Sequence, residues 1–187
     1  PVVNTNIGNT NSSNNAAPPT NTSTTDPEGH YTNKVNGYSF DYPKALFVEY
    51  QTTTTLPHDN SKVSVDALKH ELPMQYCAPS GQCRPTTINM SVGSTMINGP
   101  IEAIQKTDIG SQMIKKQLGD LTVYELEMGA EGEGIVYYYI PMPSNKILVI
   151  FRTFIDESTL ISYKGANDFI PLAEQKRIFD QIVLTLN

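Results

Sequence analysis

The chain has 187 residues, a formal net charge of −6 and only 17% charged residues. Its 13 Lys and Arg are scattered, with no run longer than Lys115-Lys116, so neither the clustered basic patch of a nucleic-acid binder nor the basic face of a membrane-surface helix is present. The longest apolar run, Ile147-Leu148-Val149-Ile150-Phe151, stops at Arg152, far short of the roughly 18–20 apolar residues of a spanning helix.

Residues 1–30 are rich in Asn, Thr, Ser and Pro, and their large apolar side chains are Val2, Val3, Ile7 and little else. Such a segment buries too little surface to offset backbone ordering, roughly 1–2 kcal/mol per residue. It is expected to be a linker, spanning roughly 30 Å as a coil. The chain opens on Pro1 rather than Met, so an upstream piece is expected to precede it, and the linker is expected to tether the domain to an anchor there. In an alternative reading the tail is an added strand on a neighbouring subunit, with Pro18 and Pro19 outside the ladder. The protein would then be the subunit of a surface filament, a homo-assembly through residues 1–30.

The pattern changes at Tyr31, where a single domain, 31–187, is expected. "NGYSFDYP" alternates Tyr38, Phe40 and Tyr42 against Ser39 and Asp41, as a half-buried strand does. "ALFVEY", "KVSVDAL" and "TTINMSV" read as three further strands. Between the last two, "YCAPSGQCRP" folds back on the turn signal Pro79-Ser80-Gly81 and brings Cys77 toward Cys83. Zinc needs two more ligands, and His30, His58 and His70 are not at ligand spacing. The spacing also lacks the C-x-x-C redox signature, so a disulfide is expected, and with it an oxidising compartment.

"NGPIEAIQKTDIG" predicts a helix, with Asn98 as N-cap, Pro100 in the first turn and Gly110 as the stop. Four strands then follow as a meander: "SQMIKKQL", "LTVYELEM", "GIVYYYIPM" and "KILVIFRTFI". The closing "PLAEQKRIFDQIVLTLN" places Leu172, Phe179, Ile182, Val183 and Leu186 on one helical stripe. The order predicts an α+β sandwich, a twisted antiparallel sheet covered by two helices.

"NGYSFDYPKALFV" near the start and "FDQIVLTLN" at the end resemble the bookends of PsbP-like domains in bacterial secreted and lipoprotein chains. Where that family usually has a Trp shortly after the Y-P, this chain has Leu46-Phe47, and it contains no Trp. The resemblance implies a non-catalytic binding or accessory domain, and it transfers no functional residues.

The residues themselves show no catalytic constellation. Ser80 lacks the G-x-S-x-G elbow, and His58 and His70 lie in polar stretches that suit surface histidines. "GAEGEG" at 129–134 reads as a flexible hairpin, and Asp156-Glu157-Ser158 is too few oxygens for calcium without other loops. No cofactor or metal is expected. Two features stand out as a candidate ligand or partner surface. Tyr137-Tyr138-Tyr139 puts two tyrosines on one sheet face and one on the other, which reads first as core or cross-strand packing and second as a sugar, peptide or partner surface. Arg152 interrupts an apolar strand, either paired with Glu125 or Glu127 or acting as an anion hook in a groove. The expectation is a non-catalytic extracytoplasmic domain, tethered through its N-terminal linker and meeting an unidentified protein or cell-envelope partner. An extracellular enzyme is the remaining alternative.

Overall fold

The computed structural model describes residues 28–165 and 169–187. The tail reading and the assembly built on it therefore concern residues mostly outside the described ones. The first described strand, β1 (Glu28–Asn33), begins inside the stretch read as linker and pairs with β2 (Tyr38–Pro43) in a two-stranded antiparallel sheet. Gly29 permits this pairing, since a Cβ there would lie 2.3 Å from the Tyr42 ring.

A larger antiparallel sheet follows: β3 (Val48–Thr55), β4 (Lys62–Cys77), β5 (Cys83–Asn98), β6 (Ile114–Leu118), β7 (Leu121–Ala130), β8 (Glu133–Met142), β9 (Lys146–Ile155) and β10 (Tyr163–Lys164). The spatial order is β10-β4-β5-β9-β8-β7-β6, with β3 on the outer edge of β4. Strands β4 and β5, 16 residues each, are longer than their hydrophobic alternation suggests. Pro73 and Pro85 interrupt the sequence signal, yet each lies where its strand pairs on one side only, so no ladder bond is lost. The "GAEGEG" loop is instead a tight turn. Strands β7 and β8 continue to Ala130 and Glu133, and Glu131 and Gly132 turn the chain at φ 54° and 84°.

The sandwich of a sheet covered by two helices is overturned. Among the described residues the structure is mostly β, ten strands in two antiparallel sheets, with only two α-helices. Helix α1 (Ile101–Gln105) has five residues where the sequence predicts a helix reaching Gly110. Thr107 ends it: its hydroxyl donates to the Ile104 carbonyl and accepts from Gly110 N–H, local bonds that compete with another helical turn. Helix α2 (Leu172–Leu184) does lie on the sheet, but it shares that face with the β1–β2 hairpin.

The sheet thus has two different covers. On one side Ile178, Phe179 and Ile182 of α2 and Tyr38, Phe40 and Tyr42 of β2 pack on Val92, Val136, Tyr138 and Ile150. Reciprocal backbone bonds of 3.0 Å between Ser39 and Asn187 tie the hairpin to the chain end. On the other side Leu56, Ile101 and Ile104 close over Leu126, Tyr137, Tyr139, Val149 and Phe151.

Candidate functional site

Strand β9 carries Leu148, Ile150 and Arg152 toward α2, as the two-residue period of a strand requires. Arg152 stands in a row across the sheet with Val92 on β5, Val136 on β8 and Glu127 on β7. It is only 6% exposed. Its guanidinium lies 5.4 Å from the Phe154 ring centre and 5.9 Å from that of Phe179. Among the described residues its buried Nε and Nη1 have no hydrogen-bond partner.

The expected ion pair with Glu125 or Glu127 is not formed. Glu125 is taken by Lys116 from the edge strand β6, and Glu127 pairs with no cation among the described residues. Val136 stands between Glu127 and Arg152 in the sheet row, two strand spacings or roughly 9–10 Å of backbone, and the guanidinium lies over the Phe154 and Phe179 rings. Burial lowers the guanidinium pKa, and Tyr138, Asp180, Glu127 and Glu125 oppose that shift.

Arg152 opens onto a cleft of about 480 Å³ between the sheet and the first turn of α2, lined also by Glu127, Phe154, Glu157, Leu172 and Lys176. Two of these side chains are already committed. Lys176 bonds Asp180, one turn further along α2. Glu157 Oε1 accepts from Leu172 N–H at 3.2 Å, satisfying one open donor of the helix start. Desolvating a guanidinium costs several kcal/mol, and each charged N–H left without an acceptor adds to that. Cation–π contact with two rings returns roughly 1–2 kcal/mol. Chemically, the cleft sets one planar cationic donor beside apolar Phe154 and Leu172 and the acids Glu127 and Glu157.

The three tyrosines do not form a surface. Tyr137, Tyr138 and Tyr139 are 3%, 3% and 0% exposed. Tyr137 and Tyr139 pack in the α1-side core, and Tyr138 packs against Phe179 on the other face. Alternation along β8 places them as the sequence indicates, but both faces of this strand are covered.

The histidines also depart from the surface reading. His58 has a side chain only 9% exposed, with Nδ1 3.3 Å from the Tyr139 hydroxyl and Nε2 3.6 Å from Asp59 Oδ2. His70 donates through Nδ1 to the Leu46 carbonyl at 2.8 Å, leaving Nε2 facing a small apolar cavity with Leu72, Met90 and Ile170. No group of three or more His, Cys, Asp or Glu able to hold a metal occurs among the described residues. Asp156 and Glu157 act as caps, Asp156 accepting from Ser158 N–H at 2.7 Å.

Cys77 and Cys83 are disulfide-bonded and face each other as register partners at the tip of the β4–β5 hairpin. The Arg152 cleft, by contrast, was only half legible. An Arg in an apolar strand marks the position, but nothing in the sequence places Phe179 and Glu157 beside it.

No family model, curated protein or solved structure matches this chain.

Proposed function

We propose that this protein is a non-catalytic extracytoplasmic binding domain, tethered through its N-terminal segment, that holds an anion-bearing small ligand in the Arg152 cleft. One observation carries the binding reading: a nearly fully buried arginine, whose Nε and Nη1 lack a hydrogen-bond partner among the described residues, lines a cleft of small-molecule size. Planar, always charged and bidentate in its donors, Arg suits a carboxylate better than any other side chain.

The cellular setting is supported by the Cys77–Cys83 bond, which persists in oxidising compartments, and by the linker composition of residues 1–30. The PsbP-like resemblance of the chain ends points to the same class of accessory domain. The non-catalytic reading draws on the histidines. His58 is held between Tyr139 and Asp59 in a packed environment, and His70 faces apolar side chains, so neither meets a nucleophile in the cleft.

The test is a nuclear magnetic resonance titration of the full chain with a panel of small carboxylates and zwitterions, following the Arg152 Nε–H and the Leu172 and Ala173 amides. At least one compound is expected to move all three signals in a saturable way, and Arg152→Met to abolish the response. A panel that leaves these signals still overturns the reading.

A further inference from the structure

The charges around Arg152 narrow the ligand class. Of the four charged residues lining the cleft, Arg152 alone is a cation without an acidic partner among the described residues, because Lys176 is engaged by Asp180. The other two, Glu127 and Glu157, are acids. Glu127 is exposed and pairs with no cation among the described residues, while Glu157 has one oxygen on Leu172 N–H. A simple anion on Arg152 would therefore bring its charge up against two carboxylates in a partly desolvated groove, where like charges repel most.

We infer that the ligand is a small zwitterion, with its carboxylate on the Arg152 guanidinium and an ammonium group toward Glu127 and Glu157. This rests on the reading of the cleft as an anion site. The apolar part of the lining refines the inference: it favours a ligand whose two charges are joined by a short aliphatic chain. Phe154 and Leu172 line the cleft with the apolar surface such a chain covers. Arg152 fixes one end and the acids fix the other, so selectivity arises from matching both ends at once.

Calorimetric titration of the full chain with ε-aminocaproate, caproate and hexylamine tests this. The zwitterion is expected to bind at least tenfold more tightly than caproate, which lacks the ammonium, or hexylamine, which lacks the carboxylate. Glu127→Gln is expected to weaken ε-aminocaproate about tenfold and to strengthen caproate. This residue is exposed, so the variant keeps the fold, which its circular dichroism spectrum checks. Caproate binding as tightly as ε-aminocaproate to the native chain overturns the zwitterion and leaves the anion site standing. No binding by any of the three overturns the zwitterion as well, and failure of the wider panel then removes the anion site with it.

Discussion

The Tyr138 hydroxyl donates to Asp180 Oδ1 at 2.8 Å, while the other oxygen of that carboxylate takes Lys176. A single acid on α2 thus fastens the helix to strand β8 and also neutralises the lysine at the edge of the Arg152 cleft. Tyr138→Phe keeps the ring against Phe179 and removes only the donor. The expected loss is about 1–3 kcal/mol, as for a buried hydrogen bond to a charged group. Urea unfolding measures it, and a change below about 0.5 kcal/mol would show that the bond does not fasten the helix.

Arg152 is expected to behave unlike an ordinary buried charge. Removing one partner of a buried ion pair is strongly destabilising, but here no carboxylate among the described residues is paired with the guanidinium. Arg152→Met retains most of the packing volume and relieves the desolvation. Its unfolding free energy is expected to equal the native value or exceed it by about 1–2 kcal/mol, although ligand binding is lost. A Met variant destabilised by more than about 2 kcal/mol would assign the guanidinium a structural role instead.

The Cys77–Cys83 bridge closes a short loop, so its entropic effect is modest. Replacing both cysteines with Ser is expected to lower stability by roughly 2 kcal/mol without unfolding the sheet. Thiol labelling of the native protein should detect no free cysteine until a reductant is added. Two cysteines that react at once would remove the chief support for an oxidising compartment.

His58 makes stability pH-dependent, and the direction follows from burial, which lowers its pKa from the ordinary 6.5. Between the lowered folded value and 6.5 the unfolded chain binds more protons than the native one. Stability therefore falls as pH drops through 6.5 and levels off below the folded pKa. His58→Gln is expected to flatten this part of the profile, measured by urea unfolding between about pH 8 and 5. A variant whose profile runs parallel to the native one would exclude His58 as the source.

Much of the β architecture was local information. The alternation of Tyr38, Phe40 and Tyr42 and the turn at Pro79-Ser80-Gly81 mark strands wherever the chain folds, because side-chain period and turn chemistry act over a few residues. The cysteine pair was legible for the same reason, since one tight turn brings the two together. β1 was not. "EGHYTN" has no apolar alternation, and it is a strand because β2 supplies its ladder. The short α1 was misread because Thr107 can bond to the helix carbonyls or to the next turn, and only packing chooses between them.

Sequence alone therefore determined the strand-rich pattern, the disulfide hairpin, the acidic surface and the odd placement of an arginine in an apolar strand. Tertiary structure decided that Tyr137, Tyr138 and Tyr139 are all core and that Glu125 belongs to Lys116. It also decided that Arg152 faces a cleft under α2. The physical reason is that burial and ion pairing depend on which strands become neighbours. Strand β9 lies between β5 and β8, an arrangement set by long-range pairing that no short window of residues encodes.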